Sequence, residues 1–264
     1  MINKVINIDV DYAAMGTEPS PRQTTLTTYI LDDKNIVDSG NVNRPAIIVC
    51  PGGSYAFTAS REAEPIALKY CAAGFHAFVL DYSVAPAGWP AAICELSKAV
   101  SYVRKIADEN KIDKNKIFVA GFSAGGHLVA SLGVHWNHPD VVKYSGISDG
   151  SNRPNGIILG YPVITGEEEK THMGTINLFT AGREFVRPLA WLEKYVTDKT
   201  PQAFIWHTFS DEAVPVISSL RFANALEENG IKFEMHIYPN GQHGLATGDY
   251  ITCSEGTYVS SVTN

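Results

Sequence analysis

One short stretch restricts what this chain can become more than any other: Ile117-Phe118-Val119-Ala120-Gly121-Phe122-Ser123-Ala124-Gly125-Gly126-His127. An apolar run of strand type enters Gly-x-Ser-x-Gly, and Leu128, Val129, Ala130 and Leu132 continue as a helix-like run. A chain that passes so abruptly from strand to helix must turn sharply, and glycines at 121 and 125 leave room where a Cβ would strike neighbouring backbone. The serine is then lifted above the sheet on a strained turn, the position of a nucleophile. A second reading treats Ser123 as an ordinary helix N-cap. The choice depends on whether the chain also supplies a base, an acid and donors for an oxyanion.

The rest of the chain alternates strand-like and helix-like segments. Residues 2–10 and 24–30 read as two antiparallel strands at a sheet edge, with a loop around Gly16, Pro19 and Pro21 between them. Arg44–Cys50 is a continuous apolar run, as expected of a strand buried on both faces of a parallel sheet. A helix over 63–73 and a strand over 75–80 follow. Trp89, Ile93, Leu96, Val100, Val103 and Ile106 recur at helical steps and mark a long amphipathic helix. The elbow strand spans 116–121. Residues 135–155 read as a polar loop, Gly156–Gly160 and 203–208 as strands, 215–229 as a helix and Phe233–Tyr238 as the last strand. The pattern predicts an α/β fold: a mostly parallel central sheet with helices on both faces.

At 264 residues and 45% hydrophobic content, the chain supports one large core, and residues 1–264 read as a single domain. Within it, 165–200 is an insertion of cap type, charged at Glu167-Glu168-Glu169-Lys170 and aromatic at Phe179, Phe185, Trp191 and Tyr195. These aromatics either line an acyl or sugar pocket or form the insertion's own small core. The net charge of −7, with no basic stripe, argues against a nucleic-acid partner. No stretch is apolar and long enough to cross a membrane, and the N-terminus lacks the form of a secretory signal. The expected compartment is the cytoplasm. Of the cysteines at 50, 71, 94 and 253, three sit inside apolar runs as small core residues, and no metal-type pair occurs. His135, His138 and Asp140 have a metal-like spacing, but Pro139 interrupts it, so a surface loop is expected. No metal and no cofactor is expected.

In the α/β-hydrolase arrangement the base sits on a loop after the last strand. Pro239-Asn240-Gly241-Gln242-His243-Gly244 fits that place, with glycines either side of His243. His127, on the elbow helix, and His207, inside a strand, read as structural histidines. The acid belongs at the end of the preceding strand, where Asp211 lies in Thr208-Phe209-Ser210-Asp211-Glu212. Asp211 also reads as a carboxylate favouring a helix N-terminus, and Glu212 is an adjacent substitute. The chain order Ser123, Asp211, His243 is that of the hydrolase arrangement. Oxyanion donors would come from the Ala124 N–H and from Gly53 and Ser54 in the loop after Arg44–Cys50; one such donor is typically worth about 10²–10³ in rate.

Taken together, Pro51-Gly52-Gly53-Ser54, Gly121-Phe122-Ser123-Ala124-Gly125-Gly126-His127, Gly160-Tyr161-Pro162, Asp211-Glu212-Ala213-Val214-Pro215 and Gly241-Gln242-His243-Gly244 resemble α/β-hydrolases of the hormone-sensitive-lipase-like group. Within it they are similar to small bacterial acetyl xylan esterases and sugar-ester hydrolases, across residues 40–250. The resemblance implies the triad Ser123, Asp211 and His243, with the oxyanion hole at Gly53, Ser54 and Ala124. It implies a serine esterase acting on a small-molecule ester, of acetyl type and carried by a carbohydrate. A peptidase or amidase, and an impaired binding protein, are the rival functions. Two features depart from the family. Pro51 and Ser54 stand where the usual loop has histidine and a third glycine, which leans away from long-chain lipases. The closing helix of the fold is expected to be missing, which would bare one sheet face and invite a homodimer.

Overall fold

The computed structural model describes residues 1–32 and 42–252. Its centre is an eight-stranded sheet in the order β1-β2-β4-β3-β5-β6-β7-β8. The strands are β1 (Val5–Asn7), β2 (Thr25–Tyr29), β3 (Arg44–Cys50), β4 (His76–Asp81), β5 (Ile112–Phe122), β6 (Gly156–Gly160), β7 (Gln202–Thr208) and β8 (Phe233–Tyr238). The first two are antiparallel at the edge, as expected, and β4 through β8 all run parallel. β3 holds Ile47, Ile48, Val49 and Cys50 fully buried, which explains why it reads as an unbroken apolar run. β8, at the other edge, alternates only between exposed and half-buried positions.

The helices are α1 (Tyr12–Met15), α2 (Glu64–Ala72), α3 (Ala91–Lys105), α4 (Ala124–His135), α5 (Pro139–Ser145), α6 (Met173–Thr180) and α7 (Ile217–Glu228). Helix α2 packs with β3 and β4 on one face, in a cluster that includes Ile47, Val49, Ile66 and Phe122. The larger cluster on the other face joins Leu96, Val100 and Val103 of α3, Leu128 and Leu132 of α4 and Phe222 and Leu226 of α7. Residues 165–200 fold into α6 and three short 3₁₀ segments. Phe179 of α6 packs into the main core against Trp89 (5.6 Å between ring centroids) and His127 (4.8 Å), while Phe185 is exposed. The insertion's aromatics are therefore divided between the domain core and the surface.

Two short helices replace expected loops. In α1 the Asp11 carboxylate accepts from the Ala14 N–H, and Gly16 closes the turn at φ 65°. In α5, within 135–155, Pro139 takes the first turn and the His138 ring accepts from the Asp140 N–H. Local caps start both helices, and neither has the length to produce a visible periodicity. His135 instead meets the Leu189 carbonyl, and Asp140 accepts from the Trp89 indole, so the metal-like spacing is used in structural bonds. Among the described residues, no cluster of three metal-ligating side chains occurs, and no helix is long and apolar enough to cross a membrane. The expectation of a missing closing helix concerns residues 253–264, outside the described residues, and Cys253 lies there too.

What the sheet does for function is to align strand ends. Cys50 pairs with Gly121, Phe122 with Gly160, Gly160 with Trp206 and Thr208 with Tyr238. The carboxyl ends of β3, β5, β6, β7 and β8 thus form one rim. The chain leaves β3 for β4 on one side and later returns to β5 on the other, so the rim includes a switch in winding direction, where α/β sheets open a crevice.

Candidate active site

Ser123 stands where β5 becomes α4, at φ 54° and ψ −118°, a conformation that L-residues rarely occupy. The surroundings hold it there. Its N–H donates to the Gly160 carbonyl (3.0 Å), and its own carbonyl accepts from the His127 and Val163 N–H groups. The elbow glycines are a matter of contact. A Cβ on Gly121 would come within 2.2 Å of the Gly125 carbonyl oxygen, and one on Gly125 within 2.1 Å of the Cys50 carbonyl oxygen. Ser123 is buried overall but lines an open cleft of ≈ 430 Å³, together with Gly53, Phe57, Arg61, Glu62 and His243.

The structure brings Ser123, His243 and Asp211 into one hydrogen-bonded line. The Ser123 Oγ lies 2.8 Å from His243 Nε2, and His243 Nδ1 lies 2.7 Å from Asp211 Oδ2. The carboxylate fixes the tautomer: Nδ1–H donates to Asp211, which leaves Nε2 to accept from the serine. Asp211 is buried, and its Oδ1 accepts from the Ala213 and Val214 N–H groups, both at 2.9 Å. Burial alone would raise its pKa. The hydrogen bonds from His207 and His243 and the charge of His243 outweigh burial and hold the carboxyl well below the usual range.

The two loops are tied to each other. Thr208 Oγ1 donates to the Gly241 carbonyl (2.8 Å) and the Gly241 N–H donates to Ser210 Oγ (3.0 Å). His243 is further flanked by Tyr161, whose ring meets the imidazole edge-on at 5.0 Å between centroids. Of the rival histidines, His127 accepts or donates one bond with the Tyr55 hydroxyl (3.0 Å) inside the core. His207 is fully buried between Ser219 Oγ (2.8 Å) and the Val214 carbonyl (2.9 Å), with its Nε2 3.4 Å from Asp211. It braces the carboxylate from behind, a contact that its place inside a strand does not reveal. Glu212 is exposed and not part of the line.

The loop after β3 has three successive positive φ values: Gly53 at 125°, Ser54 at 59° and Tyr55 at 62°. The Gly53 carbonyl accepts from the Ala56 and Phe57 N–H groups, which curls the loop. A Cβ on Gly53 would lie 2.1 Å from the Phe57 carbonyl oxygen, so this turn requires glycine. Among the described residues, the N–H groups of Gly53, Ser54 and Ala124 have no protein acceptor, whereas that of Gly52 is taken by the Glu62 carboxylate. Sequence reasoning missed Glu62, Tyr161 and also His172, which caps α6. Burial and the nearby charge of His243 lower the His172 pKa.

Comparison with known proteins identifies the family. The BD-FAE family model matches residues 35–226. The chain belongs to the BD-FAE family of α/β-hydrolases. It is 38% identical over 222 residues to endo-1,4-beta-xylanase B of Butyrivibrio fibrisolvens, covering 79% of this chain and 34% of that protein. It is 28% identical to an acetylxylan esterase of Xylanibacter ruminicola, covering 80% of this chain and 43% of that one. The chain thus spans less than half the length of either curated relative. Two solved structures match nearly end to end. An acetyl ester-xyloside bifunctional hydrolase from Caldicellulosiruptor lactoaceticus is 34% identical with a TM-score of 0.80, over 98% of this chain and 92% of that one. A carboxylesterase from Lactobacillus plantarum is 28% identical with a TM-score of 0.84, over 100% and 93%.

Proposed function

We propose that this chain is a serine carboxylic ester hydrolase that removes short acyl groups, acetyl foremost, from a carbohydrate alcohol. The observation that carries the reading is the continuous line from Ser123 Oγ through His243 to Asp211, at 2.8 and 2.7 Å. The serine oxygen attacks the ester carbonyl while His243 Nε2 takes its proton. Asp211 holds the imidazole in the correct tautomer and stabilises the imidazolium that forms. The tetrahedral oxyanion is met by the N–H groups of Gly53, Ser54 and Ala124, set in place before the reaction. Collapse of the intermediate expels the alkoxide, which receives the proton from His243 and leaves an acyl-serine. Water then enters, gives its proton to the same imidazole, and releases the acid.

The substrate class is supported by the xylan-directed and acetyl-ester names of the relatives, and by the form of the cleft. It is broad and open rather than a narrow tunnel, which suits a bulky hydroxylated alcohol better than a long acyl chain. The test is hydrolysis of p-nitrophenyl acetate, butyrate and octanoate, and of acetylated xylo-oligosaccharide, by wild type and by Ser123→Ala. Activity should be highest on acetate and should release acetate from the oligosaccharide. In Ser123→Ala kcat should drop by up to ~10⁶-fold. Ester turnover that survives the substitution would remove Ser123 from the mechanism. A clear preference for octanoate would remove the short-acyl assignment.

A further inference from the structure

Glu62 closes a 3₁₀ turn, Ser60–Glu62, at the wall of the cleft, and its side chain is 2% exposed. A buried carboxylate is costly unless its oxygens are satisfied. Both are, by groups that belong to different loops of the site. Oε2 accepts from the Gly52 N–H at 2.7 Å, immediately before the curled Gly53-Ser54 turn. Oε1 accepts from the Tyr161 hydroxyl at 2.7 Å, at the end of β6. The Tyr161 oxygen in turn accepts from the Ala246 N–H at 2.8 Å, three residues past His243. The Tyr161 ring lies edge-on to the His243 imidazole. Tyr161 itself sits at φ 36°, an unusual value for a tyrosine, held by its N–H bond to the Trp206 carbonyl at 2.8 Å.

We propose that Glu62 is a positioning residue which, through Tyr161, sets the oxyanion loop and the histidine loop at a fixed separation across Ser123. The inference rests on the ester-hydrolase reading above. Its physical content is geometric. Gly53 and Ser54 must aim their N–H groups at an oxygen attached to the carbon that Ser123 attacks, while His243 must stay on the serine oxygen. Those two loops follow different strands, β3 and β8. The relay Gly52–Glu62–Tyr161–Ala246 spans them directly. Hydrogen bonds to a charged acceptor are short and strong, which suits a part whose work is to hold position. A neutral filler in the same space would satisfy packing but would not tie both loops to one atom group.

The test uses p-nitrophenyl acetate kinetics on the full chain for wild type, Ser123→Ala, Tyr161→Phe, Glu62→Gln and the Tyr161/Glu62 double variant, with a thermal melt of each. A misplacement of about 1 Å at such a site costs about 10²-fold, so kcat should fall by that order in Tyr161→Phe and in Glu62→Gln. KM should stay within about twofold, since uniform binding is not what the relay provides. The double variant should be no worse than the poorer single one, because either change cuts the same relay. Tyr161→Phe keeps the ring against His243 and decides the matter if Glu62→Gln does not fold. A folded Tyr161→Phe with wild-type kcat, a loss that appears in KM alone, or two effects that multiply would overturn the proposal and leave the esterase reading intact. A wild type without esterase activity would overturn both.

Discussion

The loop that carries the nucleophile and the loop that carries the base are built in opposite ways. Ser123 stands between β5, a strand near the middle of the sheet, and α4, a helix with all of its residues buried. Its turn is enforced by backbone against backbone. His243 follows β8, the sheet's exposed edge strand, and the residues just before it are exposed or half-buried. Its position is enforced by hydrogen bonds to Thr208, Ser210, Asp211 and, through Ala246, Tyr161. The comparison teaches that strain is stored where packing can hold it, and that a loop on the exposed sheet edge, without such packing, is fixed by hydrogen bonds instead.

The largest test of that contrast sets one glycine against another. Gly125→Ala would force a Cβ to within 2.1 Å of the Cys50 carbonyl oxygen and 2.4 Å of that of Pro51, with no side chain free to move aside. It should leave no cooperatively folded protein, a loss of roughly 4–5 kcal/mol or more. Gly244→Ala places its Cβ 2.5 Å from the Arg61 guanidinium, the far end of a flexible side chain, at φ 78°. That change should cost about 1–2 kcal/mol of backbone strain and leave a folded, weakened enzyme. Thermal melts and soluble yields of the two variants check it. Equal outcomes would mean that the two loops do not differ as described.

Next in size is the carboxylate shared by two histidines. Asp211→Asn preserves shape and can still accept from the Ala213 and Val214 N–H groups. It removes the charge that fixes the His243 tautomer, so kcat on p-nitrophenyl acetate should fall by about 10⁴-fold with little loss of fold. If activity were instead to survive, the Asp211 charge would not be what orients His243, and the line from serine to acid would need redrawing.

How far the sequence revealed this depends on the kind of contact involved. The elbow was legible because its requirement is local: glycines at fixed offsets between an apolar run and a helical one. β6 and β8 were legible to the residue, since apolar runs ending in turn residues mark strands well. The short helices α1 and α5 were not, because a single capping side chain starts them and no periodicity accompanies it. For the site, the grouping of Ser123, Asp211 and His243 was legible because they stand at strand ends in the order of the hydrolase family that the motifs resemble. Glu62, His207 and Tyr161 escaped, although Tyr161 stood in a motif already singled out. Their roles arise from hydrogen bonds across 99, 4 and 85 residues of chain, directed by side-chain geometry that no spacing encodes.

The smallest prediction inverts the first comparison: under acid, the well-packed elbow helix is the weaker partner. His127 and His135 both lie on α4 and are buried, the latter with Nε2 against the Leu189 carbonyl (3.2 Å). Burial, then the neighbouring His135, pushes the His127 pKa down to about 3. Burial, with His138 close by, pushes that of His135 down to about 4 despite the Leu189 carbonyl. Both groups are neutral in the fold and take up protons readily only when unfolded, near pH 6.5. The stability they protect is therefore intact above pH 6.5 and is lost progressively as pH falls toward their folded values. At pH 5 the loss should be about 2 kcal/mol for each. Asp211 works in the same direction, but its window opens only below the ordinary carboxylate range, near pH 4. Melting temperatures between pH 7.5 and 5 should thus fall mainly through the α4 histidines, with contributions of the same sign from the half-buried His138 and His172, whose pKa values burial also lowers. His135→Gln should flatten the slope by about half, whatever it does to the stability at pH 7.5. A slope unchanged in that variant would place the acid-sensitive group elsewhere, and the exposed base loop would be the next region to titrate.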